Sequence, residues 1–188
     1  MDKKTDLRVI KTYNKLTVAF GEMMKTVPFD DITVFDLCEK AEVRRATFYK
    51  HFGDKFDFFK SIVKIILTNI EKKVNARTKQ STTTEYVMHF VKEIIAYLNE
   101  RPQILQNILN SNAFPVMFDI ITHCTHESLT KHLEAEIKDG AAFATDPDMF
   151  SSFINGGIAT ILISWLKKRH MSEEELIRKI DAILKKVF

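Results

Sequence analysis

The stretch ITVFDLCEKAEVRRATFYKHFGDK, residues 32–55, decides how the rest of the chain is read. Thr33 and Asp36 form an S/T-x-x-D/E pair ahead of an apolar run, which starts a helix at Val34. Leu37, Cys38 and Ala41 make its apolar side, and Cys38 and Ala41 are small enough for a second helix to cross closely. Val43 plugs the turn, and the second helix is expected over residues 45–51. Phe48 and Phe52 stand four apart and face inward. Arg44, Arg45, Thr47, Tyr49, Lys50 and His51 are then left toward solvent or a partner.

These residue types suit a nucleic-acid duplex. Arg can bond the guanine edge in two places, and Thr can meet a base or a thymine methyl. Tyr, Lys and His can hold phosphate oxygens, which fix position without reading sequence. Asp54 is expected to cap the next helix and Lys55 to lie in its first turn, where backbone N–H groups and an ammonium favour a phosphate. Any helical hairpin with a solvated basic face shares this composition, so the order of residues matters more.

That order resembles the TetR family of bacterial one-component regulators, whose pattern runs roughly I-T-V-x-x-I-A-x-x-A-G-V-S-x-x-T-F-Y-x-Y-F-x-x-K. Ile32, Thr33, Val34, Ala41, Val43, Thr47, Phe48, Tyr49, Phe52 and Lys55 match it. The resemblance implies DNA-backbone contacts from Thr33, Thr47, Tyr49, His51 and Lys55, with Arg45 and Thr47 reading bases. Two positions depart from the pattern. Glu42 replaces the turn glycine, so the turn must accommodate a side chain. Arg44 replaces the serine cap of the second helix, which loses the cap's hydrogen bond and leaves Arg44 for phosphate.

At 188 residues the chain has ample length for a core, as one or two domains. Five Gly, four Pro and only short β-branched runs favour an all-α fold over a sheet. No unbroken apolar run approaches the roughly 20 residues that span a bilayer. The opening MDKKTDLR lacks the apolar core of a secretory signal, and Cys38 and Cys124 form no spacing motif, so a cytoplasmic location is expected. The net charge of +3 is too small to announce a nucleic-acid partner by itself. Its distribution says more: residues 1–75 hold 15 Lys and Arg against 11 Asp and Glu, and the remainder 13 against 14.

Taken in order, the first helix is expected over residues 5–26, with Ile10, Tyr13, Leu16, Phe20 and Met24 as one stripe. Lys3 and Lys4 precede it as a frayed end. The fourth helix should run over residues 55–74, followed by a polar hinge or loop over residues 75–84. Thr82 and Glu85 then offer a capping box for a helix reaching residue 99. Pro102 and Pro115 suit the first turns of the sixth and seventh helices, and Asp139-Gly140 stops the seventh. Pro147 opens the eighth, which carries Gly156-Gly157 inside it. Each Gly costs about 1 kcal/mol there, so a close approach by another helix, or a kink, is expected. Ser172 and Glu175 cap the ninth.

The segment from Phe153 to Leu166, followed by M-S-E-E-E-L, is similar to the C-terminal dimerisation region in the dihydroxyacetone-kinase-regulator branch of the same family. The resemblance implies pairing of two subunits through these two closing helices, whose apolar stripes and paired glycines offer Phe153, Gly156, Gly157, Ile161, Trp165, Ile180 and Leu184 as the interface. Phe90, Tyr97, Phe114, Met117, Phe118 and Ile121 are candidates for an apolar ligand pocket, though such residues also fill ordinary cores. His123, Cys124 and His126 have a spacing usable for a metal, but no carboxylate or Cys pair completes a set, so no metal and no cofactor is assigned. No Gly-rich phosphate loop, G-x-S-x-G or H-E-x-x-H is present, so no catalytic residue is assigned either.

The resulting expectation is a three-helix helix-turn-helix head over residues 1–54 and a six-helix ligand-binding and dimerisation body over residues 55–188. Its function would be repression of transcription, relieved by a small-molecule effector, by a homodimer on a near-palindromic duplex. Two alternatives stay open: a ligand-independent DNA-binding activator or co-regulator, and a helical binding protein that has lost DNA binding.

Overall fold

The computed structural model describes residues 3–78, 82–141, 143 and 145–187, with side chains from Leu7 onward. Among the described residues nine α-helices follow one another: α1 Lys3–Met23, α2 Val34–Lys40, α3 Arg45–Tyr49, α4 Lys55–Arg77, α5 Thr83–Asn99, α6 Pro102–Leu109, α7 Ala113–Lys138, α8 Pro147–Lys168 and α9 Glu173–Val187. A single 3-10 turn, Phe29–Asp31, lies between α1 and α2, and no strand occurs among the described residues. The fold is all-α, as expected.

Local chemistry sets the helix starts. The Thr33 hydroxyl accepts from Asp36 N at 3.1 Å at the head of α2. Asp54 Oδ1 accepts from Asp57 N at 2.7 Å at the head of α4. Thr82 and Glu85 form a reciprocal capping box on α5. Ser172 caps α9 by accepting from Glu175 N at 3.2 Å. α4 runs to Arg77, further than expected, and residues 79–81 of the expected polar hinge lie outside the described residues, as do the side chains of Lys3 and Lys4.

The chain divides into two compact units that no single cut of the sequence separates. One is Met1–Val63 with Arg101–Met117, and the other is Lys64–Glu100 with Phe118–Phe188. The first is built on aromatic packing. Phe29, Phe48 and Phe58 are fully buried. Phe20 meets Phe29 and Phe58 edge-on with ring centres 6.1 and 5.6 Å apart, and Phe58 meets Phe52 at 5.0 Å. Such offset contacts add about 0.5–1.5 kcal/mol each beyond the area they bury.

α6 belongs to this first unit through one side chain. Asn107 Oδ1 accepts from Phe29 N at 2.7 Å, while its Nδ2 donates to Met24 O at 2.9 Å and Val27 O at 2.6 Å. Leu105 and Ile108 of α6 are buried beside it in sequence, on the apolar side of the helix.

The turn between α2 and α3 shows what the loss of glycine entails. Glu42 takes a left-handed conformation with φ of 53°. Val43 N donates to Cys38 O at 2.9 Å and Glu42 N to Glu39 O at 3.1 Å, the pair of bonds that closes a Schellman C-cap. That cap favours Gly at the position Glu42 holds. Glu42 also accepts from Lys15 Nζ at 3.2 Å, but both side chains are mostly exposed, so the pair contributes little. Glu42→Gly is therefore expected to stabilise the protein by about 1 kcal/mol, read as a higher urea midpoint with an unchanged slope.

In the second unit, α9 lies against α5 and buries Leu176, Ile180 and Leu184. α8 is apolar on more than one side. Its 22 residues and a mean hydropathy of 1.5 over its most apolar window make it long and apolar enough to cross a bilayer. The sequence reading missed this because it counted unbroken apolar runs, and Ser151, Ser152 and Asn155 interrupt this one without adding charge. A core helix passes the same test, and Ser151, Ile154, Trp165 and Leu166 are buried within the unit. Apart from their chain neighbours and the backbone of their own helix turns, Gly156 and Gly157 have no atom within 4 Å of where a Cβ would stand. The close approach expected at these glycines is thus not made by any described residue of the chain itself.

Candidate functional site

Phe48 orients the second helix of the hairpin. Its ring is fully buried, 5.3 Å from Phe52 and 5.8 Å from Phe58. With that face turned inward, Arg44, Arg45, Tyr49, Lys50 and His51 are exposed together and Thr47 is half-buried beside them. Arg44 occupies the N-cap position of α3 and makes no side-chain cap there, as its departure from serine implies. Tyr49 is 56% exposed, its ring held edge-on against Phe48 at 5.5 Å, so the hydroxyl is carried outward on a fixed base. α3 itself is shorter than expected, with Lys50 as its C-cap.

Two of the expected contacts are engaged inside the head. The Thr33 hydroxyl donates to Asp36 Oδ2 at 2.5 Å while accepting from Asp36 N. Lys55 Nζ donates to the carbonyls of Phe29, Asp30 and Ile32 at 2.9, 2.8 and 2.9 Å. That occupies all three ammonium donors, and the charge lies 4.9 Å from the Phe29 ring centre. In the free protein the Lys55 ammonium is therefore committed to the head's own backbone rather than offered to phosphate. A residue absent from the sequence reading also enters: Phe35 of α2 is half-exposed, and the Arg45 guanidinium lies over its ring at 5.4 Å. The only sequence signal was an aromatic at a solvent position of α2.

The second unit holds an apolar cavity of about 60 Å³ between α5, α7 and α8. Tyr86, Phe90, Ile121, Leu129, Ile154 and Leu162 are among its walls. Of the expected pocket residues, Phe90 and Ile121 line it, and Tyr97, Phe114, Met117 and Phe118 do not. The cavity's volume is well below the roughly 300 Å³ where ligand sites for drug-sized molecules begin. Thr125 Oγ1 donates to Asn155 Oδ1 at 2.7 Å on its rim, and Asn155 Nδ2 donates to Thr122 O at 2.7 Å. His123 and His126 each face a carboxylate, Glu127 and Asp148, at 3.4 Å.

A family model described as a transcriptional regulator C-terminal region, of the TetR type, matches residues 85–186, more than half of the chain. The chain belongs to the TetR family. The nucleoid occlusion factor SlmA of Alteromonas mediterranea is 30% identical over 115 residues, which are 59% of this chain and 54% of that protein. The HTH-type transcriptional regulator YxbF of Bacillus subtilis is 26% identical over 98 residues, 52% of this chain and 25% of that protein. The matched region thus spans about half of one curated relative and a quarter of the other. Among solved structures, a TetR-family transcriptional regulator from Syntrophomonas wolfei superposes with a TM-score of 0.74 at 15% identity, covering 94% of each chain. The dihydroxyacetone kinase operon activator DhaS gives 0.63 at 19% identity, covering 94% of this chain and 97% of that one. At such identities these likenesses show the fold. The family model and YxbF are described as regulators of transcription, and SlmA as a nucleoid occlusion factor.

For a TetR-family chain the surface of α8 and α9 is of interest. Phe153 is 69% exposed, Gly156 and Gly157 are exposed, and Ile161 is half-exposed. Trp165, Ile180 and Leu184, expected at the same interface, are instead buried within their own chain. An apolar stripe says that a face is covered, not by which neighbour, and here α5 covers α9. Trp165 is further held by its Nε1, which donates to Met171 O at 2.9 Å, and by the Arg169 guanidinium stacked 4.1 Å from its ring centre. Met149 of α8 and Ile183 and Val187 of α9 are further exposed apolar residues on these two helices.

Proposed function

We propose that this TetR-family chain is a sequence-specific, DNA-binding repressor, active as a homodimer and released by a small-molecule effector in the cytoplasm. The observation that carries the DNA reading is the joint exposure of Arg44, Arg45, Tyr49, Lys50 and His51 on a helix anchored by Phe48. Arg45 and Thr47 read base edges. Arg44, Tyr49, Lys50 and His51 hold phosphates. Thr33 and Lys55 support the head from within, through the cap of α2 and the carbonyls of the 3-10 turn. Two copies pair through the exposed surface of α8 around Phe153, Gly156 and Gly157. Twofold symmetry then asks for half-sites about one helical turn apart, roughly 34–36 Å between recognition helices.

The effector occupies the α5–α7–α8 cavity, which has to enlarge to admit it. Only a difference in effector affinity between two conformations can shift their balance. α4 contributes residues to both compact units, which makes it the natural element through which that balance reaches the head.

Selection of bound duplexes from a random pool at two salt concentrations tests this reading. An inverted repeat with affinity falling steeply as salt rises is the expected result. Recovery of nothing above background, or binding indifferent to salt, would remove the DNA reading and favour a helical binding protein. Within the same assay, Arg45→Ala is expected to cost about 1–3 kcal/mol of base discrimination at one position of each half-site, with the salt slope little changed. Phe35→Ala should relax preference at the same position more weakly, because it removes only the platform on which Arg45 lies. An unchanged preference in Arg45→Ala would assign base reading to another residue.

A further inference from the structure

The apolar cavity has a polar neighbour. A second space of about 140 Å³ is lined by Leu67, Thr68 and Glu71 of α4 and by Cys124, Glu127, Ser128 and Lys131 of α7. Phe90 and Thr125 line both spaces, so they form the wall between them. The wall is also crossed by hydrogen bonds. The hydroxyls of Tyr86, which faces the apolar space, and Ser128, which faces the polar one, are 2.7 Å apart. Ser128 Oγ in turn donates to Glu71 Oε1 at 2.6 Å. One end of the combined space is therefore hydrocarbon and the other is a half-buried carboxylate.

At that end Glu71 and Glu127 line the polar space with Lys131, and the charges of Lys64 and Lys131 both reach the Cys124 thiol on its wall. Glu127 faces His123 at 3.4 Å, while Glu71 forms no ion pair among the described residues. Burial raises the Tyr86 phenol, its hydrogen bond with Ser128 opposes that rise, and the Glu71 carboxylate adds to it. A carboxylate half withdrawn from water with no ion-pair partner is costly, and a cation brought within ion-pair distance offsets that cost. A second negative charge there would be repelled.

We infer that the effector is an amphiphile with an apolar body and one protonated amine, the body filling the α5–α7–α8 cavity and the amine meeting Glu71. This rests on the reading above that the cavity is the effector site. Phe90 is the residue that must turn for the two spaces to join, since it lines both and has no polar partner to lose.

The test is calorimetric titration of the full chain with n-octylamine, 1-octanol and octanoate, each below its aggregation concentration, repeated on Glu71→Gln. Glutamine keeps the acceptor for Ser128 and removes only the charge. The expected result is octylamine bound about tenfold or more tightly than octanol, octanoate weakest, and the octylamine advantage erased in Glu71→Gln with octanol unchanged. Equal binding of octylamine and octanol, insensitive to Glu71→Gln, would overturn the charge assignment and leave the cavity standing as an apolar effector site. Binding of none of the three would overturn both. Should Glu71→Gln fail to fold, the order of the three probes on the natural chain decides, because an uncharged site would not rank the amine above the alcohol and the acid last.

Discussion

Lys55→Met is expected to lower the stability of the protein by about 3 kcal/mol, read as a fall in the urea midpoint in the absence of DNA. The ammonium gathers the carbonyls of Phe29, Asp30 and Ile32 at 2.8–2.9 Å, which belong to the 3-10 turn and its C-cap on the way into α2. Hydrogen bonds to a charged group contribute about 1.5–3 kcal/mol each, but Lys55 is half-buried and water replaces part of the loss, which brings the total down. Against a usual folding stability of about 5–15 kcal/mol, this is a large fraction. Met keeps the stem that packs near Phe29 and Phe56, so the variant isolates the charge. A Lys that served only to touch phosphate would give a different result: an unchanged midpoint and weaker binding to every duplex. Lys55→Arg should rescue little, because a planar guanidinium cannot point three donors at one cluster of convergent acceptors.

The second large effect is expected at Asn107. Asn107→Leu removes an acceptor for Phe29 N and a donor for the carbonyls of Met24 and Val27. With three backbone groups left to partial hydration, a loss of about 2–3 kcal/mol is expected, again by denaturant unfolding. Asn107→Asp should be no better than Leu. It keeps an oxygen for Phe29 N but turns a second oxygen toward two carbonyls, replacing attraction with repulsion. If Asn107→Asp were as stable as the natural chain, the bonds to Met24 and Val27 would not be contributing. Both Lys55 and Asn107 act on the same short segment between α1 and α2, so their effects should couple rather than add.

How much of this was legible in the sequence depends on whether side chains or backbone carried the information. The start of α2 at Val34, the caps at Asp54, Thr82 and Ser172, and the prolines opening α6 and α8 are local side-chain signals, and the structure has them where the residues indicated. The strain at Glu42 was visible as a departure from the family pattern, though its resolution as a left-handed C-cap was not. The engagement of Lys55 within the head was not legible because its partners are carbonyls, which every residue carries and no sequence displays. Asn107 was passed over for the same reason. The six pocket candidates were chosen by apolar periodicity along single helices. Periodicity gives the face of a helix, but not the rotation and tilt that bring faces together. Phe90 and Ile121 therefore reached the cavity, while Tyr97, Phe114, Met117 and Phe118 did not. Trp165, Ile180 and Leu184 were assigned to a subunit interface on the strength of apolar stripes that the chain covers by itself.

The discontinuous first unit bears on how such regulators can be rebuilt. Its residues come from Met1–Val63 and Arg101–Met117, and Asn107 ties the later segment to the carbonyls of Met24 and Val27. A chimaera that joins this head to a foreign body at one crossover would strand those carbonyls against whatever side chain the donor supplies in place of Asn107. Re-targeting by simple head exchange is thus penalised unless the donor offers an amide at the equivalent turn of its own sixth helix. Three crossovers, one after Val63 and one at each end of Arg101–Met117, would move the head as a whole.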